Sequence, residues 1–531
     1  MGGGGGVNRR AVLGLGLGLA ARAGRAADAP GRTLRLAVSA APASLDPHYY
    51  TLTPSIMVSS HMFETLVLRD AASRMQPGLA ESWRLLDEST WEFTLRDGVR
   101  FHDGKPLTAD DVAYTLARVP TVTSPSSFAV YTRAIKAVEV GGPRTVRLKT
   151  DGPYPLLPID LASVFILPST LGRDVPSSDF NSGKAVVGTG PFRLESYQPG
   201  TQVVMSRNAD YWGNAPAWDR VDYRVVTNAA ARVAALLSGD VDVIDNVPTT
   251  DAAQLRGDGR VTVAECPSLR LIFLGLDVFR DGPTPDVAGP NGEALARNPL
   301  QDLRVRQALS LALNRAAIVD RVMEAAATAA GQFMPPGTFA HAADLPPPGY
   351  DPQAAKALLA EAGYPGGLTI TLHGPNDRYV NDGQILQAVA QQWTRIGVRT
   401  QVAAAPLSNL IARLSRFECS TFMLGWSNSG GEPSLSLRAV LGTRDPARGT
   451  GLSNYGRYSN PAADRLTDEA LRTLDDTRRE ALLQDAMRLA MRDVAIIPLH
   501  QQKNVWATRR GLRLTTRLDE QTLAMGVSRD G

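Results

Sequence analysis

Strand-like and helix-like segments alternate along almost the whole of this chain, and that alternation narrows the possible folds most. Residues 33–39 (TLRLAVS) alternate apolar and polar side chains. Trp91, Phe93 and Leu95 share one face of WEFTL, and Val146 and Leu148 share one face of RTVRLKT. Residues 368–373 (LTITLH) make a further strand, and residues 271–276 an apolar one. Helical stripes lie between the strands. Behind Asp302, in LRVRQALSLALNRAAIV, Val305, Ala308, Leu309, Ala312 and Leu313 share one apolar face. Ile385, Val389, Trp393 and Ile396 form a second stripe, and Leu482, Leu483, Ala486, Leu489 and Ala490 a third. Asp110 and Asp111 favour a helix start near residue 112, where a carboxylate meets the positive end of the helix dipole. The predicted class is α/β.

The chain has 531 residues. A single core stops growing at roughly 250–300 residues, so two lobes or more are expected. The proline- and glycine-rich stretch at residues 281–299 follows an apolar strand and reads as a natural connection between lobes. A second break at residues 334–352 holds six prolines. Net charge is +3, too small for its length to imply a nucleic-acid partner.

The first thirty residues have a different character. Arg9 and Arg10 precede the apolar run AVLGLGLGLAA, and small residues follow, with ARA (21–23) or ADA (27–29) as cleavage signals. This is the order of an export signal. The arginine pair resembles a twin-arginine leader but lacks the usual Ser/Thr and Phe, so the export route stays open. Eleven apolar residues are too few for a permanent span. Neither cysteine, Cys266 or Cys419, lies near the leader, so a lipidated N-terminal cysteine is not expected. Free buried thiols are the preferred reading over a disulfide.

Motifs for catalysis are sparse. HExxH, CxxC and the P-loop lysine are absent, and the histidines have no helical metal-ligand spacing. Gly425-Trp426-Ser427-Asn428-Ser429 approaches a nucleophile elbow, but Ser429 stands where the second glycine belongs. No catalytic residue, cofactor or metal is predicted.

The specific signal lies in a series of motifs running in order through the chain. These are SLDPHYY, FETLVLRD, PGLAESWRLLDESTWEFTLRDGVRFHDGKPLTADDVAYTL, VGTGPFRLESYQPG, NADYWGNAP, AARVAALLSGDVDVID, LRVRQALSLALNRAAIV, YDPQAAKALLAEAGYPGG, FMLGWSNSGGEPS, NYGRYSNPAADRL and AIIPLHQQ. RDGVRFHDGKP reads as strand, turn at Asp97-Gly98, strand, and turn at Asp103-Gly104. In GTGPF, Gly188 and Gly190 are expected to take backbone conformations that other residues resist. Together these motifs resemble the bacterial extracellular solute-binding proteins of family 5, the dipeptide-, oligopeptide- and nickel-binding proteins of ABC importers.

The resemblance implies a two-lobed periplasmic-binding-protein fold, class II-like, with an extra subdomain in lobe I. The expected division is an export signal at 1–29, lobe I at 30–278 with its subdomain near 80–186, lobe II at 279–497, and a return to lobe I at 498–531. It also implies an exported, periplasmic, non-lipidated monomer that closes on a small peptide-like or organic-anion ligand and delivers it to a permease dimer in the inner membrane. In dipeptide-binding members, an arginine before a short helix takes the ligand carboxylate, and an aspartate three residues after a tryptophan takes the amine. Arg378, with Tyr379 and Asn381 beside it, matches the first motif. Trp426, Ser427, Asn428 and Ser429 match the second, with Ser429 at the aspartate position. A serine cannot neutralise an ammonium, so a ligand with an anionic end and no obligatory amine is expected: a capped or modified peptide, an opine-like conjugate or another organic acid. Tyr49 and Tyr50, in SLDPHYY, are expected to line the cleft. Two other classes remain open, a secreted hydrolase using Ser427 or a histidine and a sensor subunit feeding a signalling receptor.

Overall fold

The computed structural model describes Met1 and residues 32–124 and 127–530. The leader expected at 1–29 therefore lies outside the described residues, apart from Met1. No helix among those described is long and apolar enough to cross a membrane.

Two long antiparallel strands organise the molecule, Val261–Leu276 and Ile496–Arg509. They pair from Val261 with Arg509 to Gly275 with Ile496, and the register slips between Pro267 and Leu271. At one end, Val261, Val505 and Ala507 pack with Ala37 and Ile244. At the other, Leu271 and Phe273 pack with Phe422, Leu483 and Met487 on one face, while Ile272 and Leu274 pack with Ile370, Leu309 and Trp393 on the other. The same two strands thus belong to both lobes, and the ladder loosens between them. The lobes are joined by strand rather than by the proline-rich segment. Residues 281–299 stay with the second lobe, where Val287–Ala288 pairs with Leu368–Pro375.

In the first lobe, Thr33–Val38 lies parallel to Arg220–Val225 and Val243–Ile244, and Gln202–Arg207 and Phe192–Gln198 continue the sheet antiparallel. The alternation of TLRLAV sends Leu34 and Leu36 into a core with Val221, Tyr223 and Trp506. In the second lobe, Leu368–Pro375 runs parallel to Val398–Ala405, and Thr421–Ser427 pairs with the first crossing strand.

A separate antiparallel sheet, ordered Ala80–Asp87, Thr90–Leu95, Thr145–Thr150, Ile135–Gly142, has its own core. Phe93, Val146 and Leu148 meet Val112 and Leu116 of helix Ala109–Arg118. The aspartates at that helix start act by capping as well as by charge. Thr108 and Asp111 form a reciprocal capping box, with the Thr108 amide donating to Asp111 Oδ2 at 2.8 Å.

Two motif expectations change. LRVRQALSLALNRAAIV is not one helix. Leu303–Leu311 is capped by Asp302, then Asn314 caps a new turn through the Ala317 amide. The break lets the buried Arg315 guanidinium reach the Pro498 carbonyl on the second crossing strand at 2.7 Å. In GTGPF, neither glycine has a positive φ. A Cβ on Gly188 would lie 2.0 Å from the Met62 carbonyl oxygen, and one on Gly190 would lie 2.6 Å from the Met62 carbonyl carbon. The glycines admit close backbone approach rather than an unusual conformation.

Candidate functional site

The loop after strand Thr421–Ser427 carries the second lobe onto the first. The Asn428 amide donates to the Leu269 carbonyl at 3.1 Å and Gly431 turns the chain with φ +80°. A Cβ on Gly431 would stand 2.8 Å from the Ser73 carbonyl oxygen, so the lobes touch there. Two cavities flank this contact and share Arg69, Tyr131, Ser163 and Ser429 as walls.

The first, about 440 Å³, lies mainly on lobe I. Ile56, Phe63, Phe165 and Leu523 give it apolar walls. Its buried carboxylates are already engaged. Glu64 accepts from Tyr211 Oη at 2.8 Å, Trp212 Nε1 at 2.8 Å and Thr189 Oγ1 at 2.9 Å. Burial outweighs these donors and pushes the Glu64 carboxyl up to about 7. Asp519 is held by Arg517 at 2.6 Å and by Gln521. The second cavity, about 490 Å³, lies between the subdomain and lobe II, with Tyr154 and Asp160 on one side and Asn428, Glu432 and Arg438 on the other. Burial raises the Asp160 carboxyl to about 7, and its Oδ2 accepts from Tyr154 Oη at 2.7 Å. Glu432, in the GGEPS end of the same segment, is buried and bonded to Ser434 and Arg479.

Of the residues expected to bind ligand, Ser429 is exposed and lines both cavities, and Asn428 lines the second. The others are placed differently. Tyr49 and Tyr50 are half-buried and line neither of these cavities. Their motif instead anchors lobe I. Arg118 makes two hydrogen bonds to the Asp46 carboxylate, at 2.7 and 3.1 Å, and a third to His48 Nδ1 at 2.9 Å. Burial would raise the Asp46 pKa, but Arg118 outweighs it and holds the carboxyl low. Asn381, with φ +56°, donates to Thr249 Oγ1 of lobe I at 3.0 Å and to the Val322 carbonyl at 2.7 Å. Its amide hydrogens are committed to protein, across the lobes.

Arg378 and Tyr379 gather with Trp426 and Ser427 at the end of the sheet, away from the walls of both cavities. Tyr379 Oη donates to the Gly425 carbonyl at 3.2 Å, and the Arg378 guanidinium lies 5.5 Å from the Tyr379 ring centre. Trp426 is half-buried with its indole Nε1 unpartnered. Ser427 pairs with Arg270 inside the sheet rather than on a strand-to-helix elbow. Arg270 is fixed by Glu520 at 3.1 and 3.2 Å. Arg378 is surface-exposed and has no ion-pair partner among the described residues, and desolvation first, then Arg270, lowers its pKa.

Asp286, His373 and Cys419 are the one group of potential metal ligands that comes together among the described residues. Arg413 donates to His373 Nδ1 at 3.2 Å, so Nε2 carries the proton and donates to Asp286 at 2.8 Å. That imidazole has no lone pair left for a metal. Both cysteines are free thiols.

Residues 74–447 match the family model for bacterial extracellular solute-binding proteins, family 5 Middle. The chain belongs to this family. Among the family 5 proteins similar to it, the dipeptide-binding protein of Escherichia coli (strain K12) is 26% identical over 523 residues, spanning 92% of each chain. The glutathione-binding protein GsiB of Salmonella typhimurium (strain LT2) is 28% identical over 517 residues, spanning 94% of each. The structure of HbpA2 from Haemophilus parasuis matches with a TM-score of 0.79 at 25% identity, over 94% of this chain and 100% of that one. Family 5 members are binding proteins, not enzymes, and this chain is the solute-binding component of an ABC importer.

Proposed function

We propose that this family 5 protein captures, in the periplasm, a small solute with an anionic end and no obligatory free ammonium. It works as a monomer and presents its closed form to a permease dimer. Arg378 receives the anionic end, since a guanidinium grips a carboxylate with two parallel hydrogen bonds and this one is uncommitted. We take the functional units to be lobe I, its subdomain near 80–186, and lobe II. Export through the leader at 1–29 belongs to the same reading.

The observation that carries the ligand class is Ser429. It stands on the walls of both interlobe cavities, at the position where dipeptide-binding members have aspartate. In the cavity nearer lobe I, Glu64 and Asp519 already accept from protein donors. An ammonium arriving there would lose its water without gaining an ionic partner. That costs about 2–5 kcal/mol, or roughly 30-fold to a few thousand-fold in affinity.

Isothermal titration with Ala-Ala and its N-acetyl derivative tests this. The wild-type protein should bind the acetylated form at least as tightly as the free one. Ser429→Asp should improve free dipeptide binding by roughly 30-fold or more. Equal affinities for the free dipeptide in the two proteins would defeat the reading.

A further inference from the structure

The cavity between the subdomain and lobe II carries a charge pattern that the Ser429 argument does not use. Five arginines line it: Arg69 and Arg133 from the lobe I side, and Arg438, Arg448 and Arg472 from lobe II. Among the described residues only Arg448 has a carboxylate within ion-pair distance, Asp468 at 2.6 Å. The other acids of this wall have partners of their own. Glu432 is bonded to Arg479 and Asp151 lies 4.0 Å from Lys136, while Asp160 accepts from Tyr154 and, with its carboxyl raised by burial, feels the Arg69 and Arg133 charges without forming an ion pair with either.

Arg133 and Arg438 line this cavity from opposite lobes. Arg133 follows the short helix Ala129–Thr132, and Arg438 lies in the helical turn Leu437–Leu441. The Arg133 guanidinium makes no hydrogen bond or ion pair among the described residues. Arg438 Nη2 donates only to the Arg448 carbonyl oxygen, at 3.0 Å. Burial first, and then the Arg133 charge, lowers the Arg438 pKa, which places the two guanidinium groups within electrostatic reach. Asn428 adds an independent sign. It lines the same cavity, is 1% exposed, and neither Oδ1 nor Nδ2 has a partner. Arg69 Nε is likewise buried and unpartnered. Buried polar groups are normally satisfied, so Asn428 and Arg69 Nε hold hydrogen-bonding capacity that a polar guest in this cavity could use.

We propose that Arg133 and Arg438 form an anion clamp that closes across the cleft on a further carboxylate or phosphate group of the solute, distinct from the end assigned to Arg378, with Asn428 donating to that further group. This rests on the reading that the interlobe cleft holds the solute. Closure without an anion brings two like charges together in a cleft of reduced dielectric, and an anion between them turns repulsion into attraction. The solute's acidic group would then act as the signal for closure, because only the closed form offers both arginines at once.

Small-angle scattering of the full chain, at constant ionic strength, tests the clamp with sulfate, phosphate and succinate as probes against chloride. The wild-type radius of gyration should fall with at least one of the three. Arg133→Gln and Arg438→Gln should each raise the half-saturating anion concentration by about tenfold or more. The double variant should lose the response and be more compact than wild type in chloride alone. Compaction by succinate but not by the two tetrahedral anions assigns a carboxylate, and the converse assigns a phosphate. A wild-type protein unmoved by all three anions, or a double variant that responds like wild type, overturns the clamp. The two proposals fail separately: equal affinities of wild type and Ser429→Asp for the free dipeptide defeat the ligand class and leave the clamp standing, whereas an anion response unaffected by the two arginine substitutions defeats the clamp alone.

Discussion

Glu64 sits where three distant segments meet, accepting from Thr189 of GTGPF and from Tyr211 and Trp212 of NADYW. Among the described residues it has no ion-pair partner, only the weaker pull of the Arg96 charge, and it is 5% exposed, so burial dominates and its carboxyl titrates at about 7 rather than at its usual 4.5. The folded state therefore binds this proton more tightly than the unfolded chain does. The stability it contributes is fully present below pH 4.5 and is lost as pH rises through 7. Glu64→Gln keeps an oxygen for Thr189 and Trp212 and can turn its amide toward Tyr211 Oη. The variant should gain on wild type as pH climbs from 5 to 8, by up to about 3 kcal/mol. Melting curves of both proteins across that range check this, and a pH-independent difference would show that Glu64 does not titrate there. The sequence singled out the motifs that carry these residues but not their meeting, because the packing that joins residues 64, 189 and 211 is tertiary. Arg133 was silent for the same reason: it belongs to no motif, and its partner lies about 300 residues away across a cleft.

At the scale of elements, local rules were legible and their assembly was not. The turns at Asp97-Gly98 and Asp103-Gly104 form with φ of 75° and 87° at their glycines, as the motif predicts. The expected strand between them is reduced to an isolated bridge between Arg100 and Pro106. The tip is used instead for docking: the His102 amide donates to the Gly188 carbonyl at 2.8 Å. Tyr49 and Tyr50 were expected at the cleft because their motif is a family signature, yet the chemistry of that motif is the buried Asp46–Arg118 pair at 2.7 Å. Residues 271–276 are legible as a strand, but its passage between the lobes is not, because half of each crossing strand belongs to each lobe and neither hydrophobicity nor turn residues mark the border. Asn381 belongs to this scale too. Its bond to Thr249 spans the lobes beside the crossing strands. Asn381→Ala should remove about 1 kcal/mol from the closed form, weakening binding of any cleft solute by about fivefold without touching it. Titration calorimetry with one solute against both proteins reads this directly, and unchanged affinity would mean that the Asn381–Thr249 bond is equally present in the open form.

For the whole molecule, the two-lobed α/β architecture and the family were legible from the alternation and from the ordered motifs. What the folded chain adds is an electrostatic account of closure. A cleft with uncommitted arginines, and with its carboxylates engaged by protein donors, favours a guest that brings negative charge. Because such a guest binds the closed form preferentially, it also stabilises the fold by mass action. Native mass spectrometry of the protein isolated from its own cells bears most directly on this. The account predicts one small acid bound per chain, released at an unaltered mass after prolonged incubation. A bound guest that is purely cationic, or one recovered as cleavage products, would contradict it.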